Sequence, residues 1–396
     1  WRFAPGAVCS IALGNAGLGA VLRLALDGGL VESPSATAAG KALQGFFSLI
    51  SSMYFASFFG GKPLVDWRWS LRDLQDCRPS GALISSGAMA VGPLSLALHS
   101  SLSAALGVAL WYFGLALHLG LMLNFTVQRV RQWRAWDTRD VTPAWFVVYV
   151  GVAVFAANSG GMAVSAAAVD FSLYCGIAHL VWLLPLVTYR IAFCDLIADA
   201  HYPTMGIFMA PASLCTAAWL ACGGSHAGAV PLLVPSFLTA VTVFSRYPKL
   251  LYHLGISPGW ASYTFPTIIF AIALIRYRHL HAEGSSARAV FDACAWAAFV
   301  NCVAVCTAVN AAYLKMIREG VLLKPYEQVI RGEQERRARR HKQRQENSAA
   351  KASAADREGE DAGGIEIVVL EEVKHDDAAE DERKAESLQD SAENSD

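Results

Sequence analysis

Ten long apolar stretches, separated by short polar ones, dominate this sequence. They run over residues 3–26, 41–60, 80–98, 101–125, 143–163, 168–192, 203–222, 228–246, 258–278 and 287–314. About 20 apolar residues in an α-helix cross the hydrocarbon core of a bilayer, and only a helix or a closed barrel satisfies its backbone there. Stretches of this length predict an all-α polytopic membrane protein with ten transmembrane helices. The second stretch is the weakest, because Gln44, Ser48, Ser51 and Ser52 make it semi-polar. Only 16% of the residues are charged, against about 25% in an average protein. Much of that charge lies beyond Lys315, so the preceding part is poorer still.

Loop charges support the count independently, since Lys and Arg gather on the cytoplasmic side. Lys62, Arg68, Arg72 and Arg78 follow span two, and Arg129, Arg131, Arg134 and Arg139 follow span four. Arg190 follows span six, and Arg246 and Lys249 follow span eight. The loops after spans one, three, five and seven hold only Lys41. This alternation places both termini in the cytoplasm. Arg276, Arg278 and Arg288 around the loop after span nine break the pattern, and are expected to snorkel from helix ends to the headgroups. The chain begins at Trp1, as a fragment or a processed chain would.

The spans read as five hairpins of similar length, which suggests quasi-symmetric packing around an axis. Glycine and proline favour the odd spans: Gly14, Gly17 and Gly19 in the first, Gly87, Gly92 and Pro93 in the third, Gly151, Gly160 and Gly161 in the fifth, Gly206 and Pro211 in the seventh, Gly259 and Pro266 in the ninth. Irregular backbone at membrane depth is tolerated where it is packed in protein or lines a cavity. The odd spans are therefore expected inside and the even spans outside, although Pro185, Pro231 and Pro235 in even spans weaken the contrast. Pro93, Pro211 and Pro266 are expected to kink the inner helices.

Few ionisable groups fall within the spans. Asp170 and Asp292 lie near outer ends and Arg190 near an inner end. His118 and His179, with the neutral Asn15 and Asn158, are the candidate pore-lining polar groups or proton relays; hydrogen bonding between helices is the alternative for each histidine. No acidic residue lies mid-span, whereas cation pathways and proton pumps usually place one there. That favours anions as cargo. No clustered set of catalytic groups lies in the spans, so the chain is not expected to be an enzyme. Cys9, Cys175, Cys194, Cys215, Cys222, Cys294, Cys302 and Cys306 fall in or beside apolar segments and Cys77 in a loop, with no C-x-x-C spacing, so no metal or other cofactor is expected. Nothing points to a nucleic-acid partner.

Three strings carry a resemblance to a known family: Pro203-Thr204-Met205-Gly206-Ile207-Phe208-Met209-Ala210-Pro211, Trp260-Ala261-Ser262-Tyr263-Thr264-Phe265-Pro266, and the run from Pro143-Ala144-Trp145-Phe146 to Gly151. In order and spacing they resemble helices seven, nine and five of the tellurite-resistance/dicarboxylate transporter family. That family includes bacterial TehA, yeast malate and sulfite transporters and the plant guard-cell slow anion channel. The resemblance covers about residues 1–315, with span one following the family only loosely. It implies five hairpins around a central pore, a homotrimer with one pore per subunit, and a phenylalanine that blocks the pore, matched here by Phe265. The cargo so implied is a small inorganic anion or a C4-dicarboxylate such as malate, moved through a channel, with a proton-coupled dicarboxylate or sulfite carrier as the alternative. A helical receptor or scaffold is a remoter one. The plasma membrane is the default location.

Residues 1–315 form the expected transport domain and 316–396 a cytosolic tail. Arg331, Arg336, Arg337, Arg339, Arg340, Lys342 and Arg344 make a basic cluster suited to anionic lipid or to regulation. Beyond Lys351 the tail is acidic and rich in Ala and Ser, a composition that predicts disorder, with one apolar island over Ile365–Leu370. Ser387, three residues before Asp390, is a candidate for an acid-directed kinase.

Overall fold

The computed structural model describes residues 7–30, 34–57, 79–132, 141–194, 202–247 and 258–319. The tail calls, from the basic cluster to Ser387, and most of the basic loop residues lie outside them. Among the described residues there is no strand. Eight helices are long and apolar enough to cross a bilayer: Val8–Asp27, Gly81–Ser101, Ala104–Arg131, Ala166–Phe193, Tyr202–Ala221, His226–Ser245, Gly259–Arg278 and Ser286–Arg318. They correspond to spans one, three, four, six, seven, eight, nine and ten.

The other two spans depart from a plain apolar helix, each for a physical reason. Span two is a helix over Pro34–Phe55, opening seven residues before the apolar stretch, with proline at the first position, where its missing N–H costs nothing. Lys41 therefore lies in the helix and not in a loop. Two of its polar residues face inward: Gln44 accepts from Arg23 Nη1 at 2.8 Å and Ser51 Oγ donates to the Ala12 carbonyl at 2.7 Å. Phe46, Leu49 and Met53 point out.

Span five is broken. It consists of two short helices, Trp145–Tyr149 and Ala153–Ala157, joined by three residues of turn. At the break the Val150 and Gly151 N–H groups both donate to the Phe146 carbonyl. Any Cβ at Gly151 would overlap the Val147 carbonyl oxygen and approach His118 Cε1 to 2.9 Å. Span four braces the break from behind. His118 Nε2 donates to the Val148 carbonyl at 3.0 Å, and Trp111 Nε1 donates to the Phe155 carbonyl at 2.9 Å.

The five hairpins close into a ring. Inner neighbours pack one on three, three on five, five on seven, seven on nine and nine on one, and each inner span also packs on the even span that follows it. In the apolar window of spans one, three, seven and nine, 78–83% of residues are buried, against 22–33% in spans four, six, eight and ten. Every residue of the two short span-five helices is buried. The odd spans are thus the inner ring, and the even ones bear the membrane-facing surface. Recurrent local chemistry shapes the hairpins. Gly161, Gly223 and Gly284, in the turns after spans five, seven and nine, all have φ near +75 to +78°, a conformation that glycine adopts without strain. Ser103, Ser225 and Ser285 cap the starts of spans four, eight and ten through their hydroxyls.

Proline acts differently from expectation in two of three places. Pro93 does lie inside a helix, Ser85–Ser101. Spans seven and nine open instead as 3₁₀ segments, Tyr202–Met209 and Pro258–Tyr263, before turning α-helical at Ala210 and Thr264. Pro211 and Pro266 stand in the first α-turn, where a missing N–H is cheap. They mark a change of helix type rather than a kink in a continuous helix. The two 3₁₀ segments pack together, and Gly206 permits it: a Cβ there would come within 2.7–2.9 Å of the Tyr263 ring.

Candidate functional site

The axis of the inner ring holds two cavities, each lined by all five odd spans. The first lies toward the N-terminal ends of the odd spans and has a volume of about 30 Å³, room for one or two waters. Its walls include Leu13, Met89, Val150, Pro211 and, from span nine, Phe265 with Pro266. The Phe265 side chain is 6% exposed. Span one makes room for it with glycine: a Cβ on Gly17 would meet the Phe265 ring at 3.5 Å and Ile268 at 3.3 Å, and one on Gly14 would overlap the Thr264 side chain. An aromatic ring in an apolar constriction excludes water and ions together.

The second cavity lies at the C-terminal ends of the same spans and holds about 420 Å³. It carries charge. Arg23 and Asp27 come from the end of span one, Gln44 from span two, Asn158 from span five and Arg276 from span nine. Arg23 donates to Asp27 at 3.0 Å, Gln44 at 2.8 Å and Ser100 at 2.7 Å. Arg276 donates to the carbonyls of Ala217 at 2.6 Å and Ala157 at 3.1 Å. Ala157 ends the second helix of span five and Ala217 lies just before the last turn of span seven, so the guanidinium ties two inner helices together near their C-terminal ends while facing the cavity. Among the described residues no carboxylate pairs with it.

This placement corrects the expectation that Arg276 snorkels to the headgroups. Because span nine is an inner helix, a cation at its end turns to the axis. Its neighbours do not line the cavity: Arg278 and Arg288 bind Asp292 at 2.6 and 3.3 Å, tying span nine to span ten. His279, in the turn after span nine, is pushed below the ordinary imidazole range, by burial first and then by Arg278 and Arg288.

Of the candidate polar residues, only Asn158 lines a cavity. Asn15 donates to the Ile11 carbonyl at 3.0 Å and to Asn310 Oδ1 at 3.1 Å, joining spans one and ten. His118 braces span five from outside, and His179 stacks on Tyr149 at 5.3 Å with Nδ1 2.7 Å from the Cys175 carbonyl. Both imidazoles stand behind the wall of span five and line neither cavity. Sequence inspection passed over Arg23 altogether. The usable signal was its position at the end of a glycine-rich span, which predicts an inner location and hence an axial charge.

A search of curated proteins returned no match. Over residues 7–314 the chain matches the voltage-dependent anion channel family, and it belongs to that family.

Proposed function

We propose that this protein is an anion channel whose conduction path is the axis of the five odd spans, closed at Phe265 in the conformation seen here. The observation that carries the proposal is the pairing on one axis of an aromatic constriction with a wide cavity bearing Arg276, a cation matched by no carboxylate among the described residues. Low-dielectric walls focus the field of such a charge and raise the local concentration of anions. Displacing the Phe265 ring would join the two cavities. A homotrimer, a plasma-membrane location and both termini in the cytoplasm go with this reading, supported by the family resemblance and by the loop charges. The cargo within it is a small inorganic anion or a C4-dicarboxylate.

Planar-bilayer recording of purified wild type and Phe265→Ala, with chloride, nitrate, sulfite or malate as the sole anion, tests it. A large current in Phe265→Ala with little in wild type is the expected result. Silence in both, with proton-driven malate uptake into vesicles, would replace the channel by a coupled carrier and remove Phe265 as its gate.

A further inference from the structure

Three prolines of outer spans, Pro185, Pro231 and Pro235, take no part in the axial site. The fold brings them together: all three line one groove on the membrane-facing surface, between spans six and eight. Span six contributes Tyr174, Val181 and Pro185, and span eight Gly228, Pro231 and Pro235, each set at the spacing of one helix face. A glycine has no side chain and a proline ring folds back on its own backbone. These positions of span eight therefore send nothing across to span six. Both outer spans pack on span seven, which adds Trp219 to the lining. The Trp219 indole N–H donates to the Ser225 carbonyl at 3.0 Å, and a Cβ on Gly228 would overlap its ring. Trp219 is thus held in place at the groove.

We propose that this groove holds one acyl chain of a zwitterionic phospholipid, in the leaflet level with the wide cavity, with the ammonium of its headgroup on Asp170. Length and charge identify the occupant. From Tyr174 to Pro185 the helix rises about 16 Å, close to the hydrocarbon depth of one leaflet, about 15 Å. No charged group lines the groove, and an unfilled slot forfeits dispersion contacts along its walls. Asp170 stands one helical turn beyond Tyr174, exposed and paired with no cation among the described residues. Its charge reaches the turn between spans seven and eight: the Cys222 thiol is pushed up, by burial first and by Asp170 next, with Arg276 opposing. Span six has 28 residues. It rises about 42 Å, so its first turns overrun a core of about 30 Å and place Asp170 at headgroup level. Trp219, near the end of span seven, stands where tryptophan is favoured in membranes. A second copy of this chain in the groove would set Asp170 against the apolar side chains that even spans turn outward, stripping water from an unpaired charge.

Electron cryomicroscopy of the full chain in nanodiscs tests the site, with phosphatidylethanolamine brominated at mid-chain as the probe. Bromine signal should concentrate between Val181 and Pro235, above that of lipid around the rest of the perimeter. Leu232→Trp fills the groove from span eight and should abolish the signal; Val181→Trp does so from the other wall if the first variant does not fold. An empty groove, signal no stronger than elsewhere on the perimeter, or a helix of a second copy seated there would overturn the proposal. Native mass spectrometry with equal phosphatidylethanolamine and phosphatidylglycerol tests the headgroup. Wild type should retain the former in preference, and Asp170→Asn should reduce that preference about two- to fivefold, the range for an exposed ion pair. Equal retention in wild type, or no change in Asp170→Asn, would overturn the assignment of the ammonium to Asp170.

Discussion

The two cavities on the axis are built from the same five helices yet differ in size, polarity and charge. The narrow one is lined by Phe265 and by hydroxyls; the wide one is lined by Arg23 and Arg276. The difference follows from hydration. A guanidinium keeps a share of water in a cavity of about 420 Å³, where its field reaches arriving ions. In a constriction holding one or two waters it would be stripped of water at a cost of several kcal/mol. Neutral donors can stand there instead.

Breaking the closed end should have the largest effect. Phe265→Ala is expected to raise anion current by at least about tenfold, as one steric block is removed from the axis, measured in planar bilayers against wild type. The charged end comes next. In the Phe265→Ala background, Arg276→Gln should lower conductance severalfold at low ionic strength, and the two channels should converge near 1 M salt, where the screening length falls to about 3 Å. A deficit that persisted at 1 M salt would show that Arg276 acts by capping the Ala157 and Ala217 carbonyls and not through its field.

The wall between these functions depends on His118. His118→Leu removes the donor to the Val148 carbonyl and should destabilise the protein by about 1–3 kcal/mol, the cost of a buried acceptor left alone. Thermal unfolding in detergent would show it, and a flat pH profile of current with His118 present would speak against a proton relay. At the rim, Asp27→Asn releases Arg23 from its ion pair and should raise low-salt conductance by less than about twofold, since partly exposed pairs are weak. The smallest effect belongs to His279. Its folded pKa lies below the unfolded value, so its contribution is complete above the unfolded value of about 6.5 and is lost as pH falls through the lowered folded value. His279→Asn should flatten that part of the stability profile.

Much of the fold was legible in the residues. Eight of the ten stretches that hydropathy located are long apolar helices, and glycine placement sorted inner from outer because close helix approach at Gly14 and Gly206 leaves no room for a side chain. The second span looked weak for a reason that became clear only in place: Gln44 and Ser51 are its inward face. The break in span five was hidden, since residues 143–157 are apolar almost throughout and hydropathy does not register a lost turn. Gly151 was the local mark of it. The site was read less well. His118, His179 and Asn15 were candidates because polar groups in apolar stretches stand out, but all three hydrogen-bond between or within helices away from both cavities.

What the sequence alone determined was the class: long uncharged stretches, ordered in hairpins, have few stable solutions outside a bilayer-spanning helical ring, because backbone satisfaction and apolar burial are local demands. Only the tertiary structure decided which side chains meet on the axis. Ser10, Ser86 and Ser262 are brought to one cavity, and Arg276 is turned inward while Arg278 is not. Those outcomes depend on how far each helix rotates about its own axis and how it is offset along the bundle, which are set by packing between distant residues and leave no mark in any one stretch of sequence.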